Sequence, residues 1–413
     1  MSEFVQVARQ PIINAENEIF GYELFHRDSE GKAVDRTLTN RTLSAQVILS
    51  VYNLIGRERV VGSHLAFFNI DADFLLTDII EALPPEQCVF ELTVHQAFRP
   101  NEIAKIKYLH EKGYRFALDN FTVSGGALIM YQTLLPYITY LKVDVQSSDP
   151  EFVAEQIEPL KENHVLIAQR VETIDEFSIY RDMGFEFFQG YYIKHPQPVK
   201  HYRLEPRHFG VTRLYKMLET TEFSDFAREF ERHNELCIQF FQYLLSVGGR
   251  QYDATRSVRQ LLEDAGEAML QRWMMLIVYA KGSADVSEKK SKFSRFFERR
   301  IDTMQAIVSN VHAADPERRK DELRLLAIFS TLIDIYQTPY DLIVSTFRVS
   351  KNLELWLVAR KGRFSLIYKA VNQMEHEPVD IVKVDRILKS FKTDYDEVEE
   401  KLELMRRRFK HEA

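Results

Sequence analysis

The sequence predicts an α/β fold, a (β/α)8 TIM-like barrel, followed by an all-α helical domain. Three observations predict it. Up to about residue 200, short β-branched or aromatic runs alternate with amphipathic helical stretches. Beyond about residue 206 that strand rhythm stops and apolar residues recur at helical spacing. No glycine-rich phosphate turn follows the first strand, where an open doubly wound sheet would normally place one; that sheet is the fallback.

The strand runs are Gln6–Pro11, Ile19–Phe25, Leu65–Ile70, Val89–Thr93, Arg115–Phe121, Tyr140–Val145, Val165–Val171 and Phe187–Ile193. Between them, helices are expected over Asn40–Ile55, Asp73–Ala82, Asn101–Lys112, Ala127–Leu135, Glu151–Asn163 and Ile174–Met183. So many strand–helix units favour closure into a barrel. His195-Pro196-Gln197-Pro198 and Glu205-Pro206 then read as a linker. Helices follow over Phe226–Ser246, Val258–Lys281, Ser294–Ala313, Lys320–Tyr336, Asn352–Val358, Arg363–Met374 and Val384–Phe409, with Leu323, Leu326, Ala327 and Ser330 on one stripe. The expected domains are 1–198 and 199–413.

The 413 residues suffice for two domains. With 54 Lys and Arg against 61 Asp and Glu, the net charge of −7 gives no general electrostatic reason to bind nucleic acid or an anionic membrane. Two distant cysteines, Cys88 and Cys237, offer neither a disulfide framework nor a zinc knuckle and suit a reducing compartment. The N-terminus lacks a signal-peptide pattern. Phe121–Leu141 carries no charge, but Gly125, Gly126, Pro136 and its polar residues break it as a membrane span. The expected location is the cytoplasm.

In a parallel barrel, chemistry gathers at the C-terminal strand ends. Those ends carry Glu23, Asn69, Glu91, Asp119, Lys142 with Asp144, Gln169 with Glu172, and Gln189. One such residue alone would be an ordinary solvated loop residue; the coincidence across strands is informative. Converging carboxylates with an amide oxygen suit Mg²⁺ or Mn²⁺, which could activate water against a phosphodiester. Lys142 could orient or deprotonate that water if its pKa were lowered.

Gly21-Tyr22-Glu23-Leu24-Phe25-His26-Arg27, Phe68-Asn69-Ile70, Glu91-Leu92-Thr93, Asp119-Asn120-Phe121, Leu141-Lys142-Val143-Asp144, Ala168-Gln169-Arg170-Val171-Glu172-Thr173 and Gln189-Gly190-Tyr191 follow one another over about 190 residues. In order and spacing they resemble the EAL family of cyclic di-GMP phosphodiesterases. The resemblance implies a barrel whose first strand runs antiparallel. It implies metal ligation by Glu23, Asn69, Glu91 and Asp119, catalytic roles for Lys142 and Glu172, and ligand contacts from Arg27, Asp144 and Gln189.

Several family positions are changed. Asn120 replaces the second aspartate of an Asp-Asp pair and Thr122 a loop glycine. Val94 replaces a glutamate, Gln169 another, Arg170 a glycine, and Asp28 a tryptophan. Amides cannot supply carboxylate charge, so a cluster meant for two dications loses about two negative charges. The expectation is a degenerate site in which Lys142 and Glu172 are vestigial. A one-metal remnant for Mg²⁺ or Mn²⁺ remains open, no cofactor is required, and the chain is not expected to be an enzyme. Binding of cyclic di-GMP without cleavage is the alternative, as is weak metal-dependent phosphodiesterase activity.

In the second half, Glu235-Leu236-Cys237 to Ser246, Ser257 to Gly266, and Leu270-Gln271-Arg272-Trp273 resemble the HDOD domain, a helical relative of HD phosphohydrolases. No His-Asp dipeptide occurs, and His312 and His376 are isolated, so hydrolysis is not expected there. Trp273–Ile277 reads as core rather than as a methionine-rich groove. Lys289–Arg300, with Phe293, Phe296 and Phe297 interleaved, reads as a solvated basic loop leading into a helix whose aromatics point inward, rather than as an interaction segment for nucleic acid or an acidic partner. The tail Tyr395–Lys410 starts acidic and ends basic, which suits a helix dipole. The two resemblances together suggest a bacterial signalling protein acting by protein–protein contact, with motility or attachment proteins as partners. A homodimer is compatible with this reading.

Overall fold

The computed structural model describes residues 4–27, 40–93, 97–202, 208–281 and 292–411. Contacts divide them into two compact units: the residues up to Tyr202 with Arg272–Lys281, and the residues His208–Gln271 with those from Lys292 on. Among the described residues, no helix is long and apolar enough to cross a membrane.

The first unit has nine strands: β1 Phe4–Asn14, β2 Ile19–Arg27, β3 Leu65–Ile70, β4 Cys88–Thr93, β5 Arg115–Phe121, β6 Tyr140–Asp144, β7 Val165–Gln169, β8 Phe187–Gln189 and β9 Gln197–Tyr202. Strands β2 to β8 pair side by side in chain order, all parallel. β1 runs antiparallel to both β2 and β8 and closes an eight-stranded barrel, flanked by helices. The predicted (β/α)8 TIM-like barrel and the helical second half are both present.

The barrel is filled in layers because side chains two residues apart share a strand face. One layer is apolar: Ile12, Phe67, Val89, Ala117, Tyr140 and Ile167, with Phe20 stacked on Phe187 at 3.9 Å beside it. Gly21 belongs here because a Cβ at that position would lie 2.7 Å from the Phe67 ring. Two residues further along each parallel strand the inward positions turn polar, giving Glu23, Asn69, Glu91, Asp119, Lys142, Gln169 and Gln189. On the antiparallel β1 the same step runs backwards, from Ile12 to Gln10.

Where a linker is predicted, the structure has β9. It pairs antiparallel with the first half of β1, Phe4 opposite Tyr202 and Ala8 opposite Pro198. β8 is only three residues long and covers β1 at Ile13 and Asn14 alone, leaving an open edge. Pro198 has no N–H to give, which an edge strand tolerates. β6, β7 and β8 end earlier than predicted, at Asp144, Gln169 and Gln189. After β8 the chain turns, with the Ile193 and Lys194 N–H groups both donating to the Gly190 carbonyl. Asn40–Ile55 is an α-helix to Leu49 followed by a π-helical turn over Ser50–Ile55. The predicted helix Asp73–Ala82 is instead a short helix, Ala72–Leu75, capped by Asp71, and a 3₁₀ turn at Ile79–Ala82.

Beyond β9 the chain is mainly helical, and its predicted long helices are broken. Phe223–Phe230 and Asn234–Val247 stand for Phe226–Ser246. Gly266, at φ +89°, separates Val258–Ala265 from Glu267–Lys281. Ile381–Leu388 and Tyr395–His411 stand for Val384–Phe409, with Lys392 left-handed between them. Helices His208–Thr220 and Tyr340–Thr346 were not expected from the pattern, nor was the parallel pair β10 Tyr252–Ala254 and β11 Phe347–Val349. The stripe Leu323, Leu326, Ala327 and Ser330 is buried. Trp273, Met274, Leu276 and Ile277, in the part of Glu267–Lys281 that belongs to the first unit, are buried too, as an inward-packing run requires.

The basic stretch enters the helix Lys292–Val308, in which Phe297 points inward and is buried. Lys289, Lys290 and Ser291 lie outside the described residues, but Arg300 is buried in an ion cluster. Its Nη1 lies 2.9 Å from Asp334 Oδ2, its Nε donates to Glu375 Oε1 at 2.9 Å, and Tyr368 donates to Asp334 Oδ1 at 2.6 Å.

Candidate functional site

The polar layer forms the floor of a cleft of about 510 Å³. Parallel register sets its residues side by side: Asn69 pairs with Glu91, Thr93 with Asp119, Asp144 with Gln169, and Gln169 with Gln189. At the centre is Lys142. Its Nζ lies 2.6 Å from Glu23 Oε2, 2.6 Å from Glu91 Oε1 and 3.1 Å from Asp119 Oδ1. Glu23 also accepts from Asn69 Nδ2 at 2.8 Å and Gln189 Nε2 at 2.7 Å. Six of the residues marked by the sequence are thus one bonded cluster.

Electrostatics divides the three carboxyls. Burial pushes Glu23 up, but the Lys142 charge and the hydrogen bonds from Lys142, Gln189 and Asn69 outweigh it and hold Glu23 below the usual carboxylate range. Burial and repulsion from Glu23 push Glu91 well above that range. Asp119 is raised as well, chiefly by burial, against the opposing charge of Lys142. Burial alone would lower Lys142; the charges of Asp119, Glu23 and Glu91 overcome it and raise its pKa well above the ordinary value. The lowered pKa that a lysine base would need is therefore not what this cluster produces. Lys142 is a fixed cation.

Asp119 is flanked by amides. Asn120 Nδ2 donates to Asp119 Oδ2 at 2.6 Å, and Gln169 Nε2 reaches Asn120 Oδ1 at 3.0 Å. With the Gln169 amide turned over, its nitrogen donates to Asp119 Oδ1 at 2.8 Å and its oxygen accepts the Asn120 N–H at 3.0 Å. Either way the two amides stand beside a carboxylate where the resemblance has further carboxylates.

Glu23, Asn69, Glu91 and Asp119 are the oxygen donors that could hold a dication. Fully ionised, the three carboxylates retain two negative charges after Lys142 is counted, and Glu91 Oε2 is buried without a hydrogen-bond partner. This fits one dication; with Asn120 and Gln169 neutral, it does not fit two. In the present arrangement the carboxylates converge on the ammonium. Accordingly, among the described residues no group of three or more His, Cys, Asp or Glu side chains is arranged to hold a metal ion.

The remaining predicted residues lie around this floor. Glu172 is exposed and lines the cleft. Asp144 is buried and engaged by Arg170 Nη1 at 2.8 Å, Ser147 Oγ at 2.9 Å and the Gln146 N–H at 3.0 Å. Arg27 ends β2, and its side chain lies outside the described residues, as do Asp28 and Val94. Sequence reasoning missed Gln10, Phe25, Thr93 and Tyr191, which also line the cleft. For Gln10 the signal was available: a polar residue two positions from an apolar inward one, on the strand that runs the other way.

Residues 4–196 match the family model of the EAL domain. The chain is 26% identical over 365 residues to the cyclic di-GMP phosphodiesterase CdgJ of Vibrio cholerae, covering 86% of this chain and 81% of that protein. It is 25% identical over 279 residues to YuxH of Bacillus subtilis, covering 67% of this chain and 68% of that protein. Among solved structures, it is similar to the Klebsiella pneumoniae BlrP1 manganese/cy-diGMP complex, with 19% identity and a TM-score of 0.41. That match takes in 48% of this chain and 59% of the BlrP1 chain, less than two thirds of it.

Proposed function

We propose that this chain, which carries an EAL domain and is homologous to cyclic di-GMP phosphodiesterase-like proteins, is a non-hydrolysing member of a cyclic di-GMP-linked signalling pathway. It acts by protein–protein contact, with outputs of the motility or attachment type. The barrel and the HDOD-like helical half are its two domains. The single observation that carries this reading is the Lys142 cluster. An ammonium fixed among Glu23, Glu91 and Asp119, with amides at 120 and 169, supplies neither a base nor the charge for a pair of dications. A single Mg²⁺ or Mn²⁺ held by Glu23, Asn69, Glu91 and Asp119 would supply Lewis acidity. Lys142 would meanwhile keep its proton, and Gln189 would keep Glu23 oriented.

The test is chromatography of cyclic di-GMP after incubation with the purified chain and Mg²⁺ or Mn²⁺. The nucleotide is expected intact. Formation of linear pGpG that disappears in a Glu23→Ala variant would overturn the proposal.

A second reading is favoured by the cleft itself, which is open and formed above the cluster. In this reading the barrel is a cyclic di-GMP receptor without turnover.

A further inference from the structure

A ligand carrying phosphate has to meet positive charge, yet the cleft floor is acidic. Among the described residues lining it, Glu23, Asp119 and Glu172 are carboxylates and Arg170 is the one cation. Lys142 is only 1% exposed in its side chain and is taken up by three carboxylates beneath the floor. Arg170 differs in each respect: its side chain is 54% exposed and has one ion pair, through Nη1 to the buried Asp144. Its Nε and Nη2 donors make no hydrogen bond within the protein among the described residues.

Its backbone makes the placement costly. Arg170 has φ +62°, in the left-handed region, where a non-glycine residue loses about 1 kcal/mol. The surroundings hold that conformation: Gln146 Nε2 donates to the Arg170 carbonyl at 3.1 Å, and the Val171 N–H donates to the Gln189 carbonyl at 3.1 Å. Strain retained at the rim of a cleft, with a guanidinium braced by a buried carboxylate, is the signature of a side chain placed for contact.

We infer that Arg170 is a phosphate-binding residue at the cleft mouth, meeting an anionic phosphodiester ligand directly so that binding needs no divalent cation. The inference rests on the receptor reading given above. Guanidinium suits this task because its planar donor edge pairs with phosphate oxygens and its charge does not titrate. Asp144 fixes one edge of the fork and leaves the other for the ligand.

The experiment is calorimetric titration of the full chain with cyclic di-GMP in EDTA and, separately, with Mn²⁺. The proteins compared are wild type, Arg170→Gly and Arg170→Lys. Glycine suits the left-handed backbone, and in Arg170→Gly the buried Asp144 keeps its hydrogen bonds from Ser147 Oγ and the Gln146 N–H. Binding in EDTA that weakens by about tenfold or more in Arg170→Gly, with Arg170→Lys in between, is the expected result. Equal or tighter binding by Arg170→Gly would overturn the role of Arg170 and leave the receptor reading standing. Wild-type binding that requires Mn²⁺ would do the same. No binding under either condition would end the receptor reading and this inference with it.

Discussion

Lys142 Nζ lies 2.6 Å from Glu91 Oε1, and neither side chain reaches solvent. The pair sits where seven strands bring their second inward layer together, so the barrel closes around a cation of its own. Truncating that cation leaves three carboxyls facing one another. Lys142→Met is expected to destabilise the first unit by about 3–5 kcal/mol, the usual cost of stripping one partner from a buried ion pair. Urea unfolding followed by circular dichroism measures it. Because burial and repulsion from Glu23 already push the Glu91 pKa well up, adding Glu91→Gln to Lys142→Met should recover part of the loss; a double variant less stable than Lys142→Met would contradict this account.

His164 makes stability depend on pH. It is buried ahead of β7, with Nδ1 2.9 Å from the Ile138 carbonyl, and burial lowers its pKa below the ordinary 6.5. A depressed folded value means the unfolded chain binds the proton more readily. The contribution is complete above about pH 6.5 and is lost as pH falls from there toward the folded value, with a slope of at most about 1.4 kcal/mol per pH unit. Melting temperatures recorded from pH 7.5 to 5.5 should fall more for wild type than for His164→Asn. Parallel curves would show that this ring does not contribute.

Gly190 is required by packing. A Cβ there would lie 2.1 Å from the Val171 carbonyl oxygen and 2.4 Å from its nitrogen, and both are backbone atoms that cannot swing aside. Gly190→Ala should push β8 off β7, destabilise by about 1–3 kcal/mol or more, and displace Gln189 from Glu23. A melting temperature within a degree of wild type would refute the contact.

Much of this was legible in the sequence. An apolar residue followed two places later by a polar one, as in Phe67 and Asn69 or Val89 and Glu91, marks both the inward face and the level at which chemistry begins. Which partners those residues choose was not legible, because Lys142 meets Glu23 and Glu91 through barrel closure, across 119 and 51 positions of chain. β9 was hidden for a related reason: its prolines signal a linker, and only the exposed edge of β1 makes a strand of it. The helix breaks at Gly266 and Lys392 depend on single left-handed residues, which hydrophobic periodicity does not register. Arg170 offered a clue, since it stands where the resembled family has a glycine, and its φ is one that glycine adopts freely.

The last prediction concerns the second unit, where Arg300 joins three helices. It lies on Lys292–Val308, Asp334 ends Pro316–Asp334, and Glu375 ends Gly362–Glu375. Phe296 covers the guanidinium, its ring centre 4.9 Å away. Arg300→Met would leave Asp334 and Glu375 close together and poorly solvated, at a cost of about 3–5 kcal/mol. The paired change Arg300→Met with Glu375→Leu removes a charge of each sign and should cost less than the single one. Denaturant midpoints for wild type, both single variants and the double variant form a cycle whose coupling energy reads the interaction directly. A coupling near zero would mean that the three helices are held by their apolar faces alone, and that Arg300 fills space without binding them.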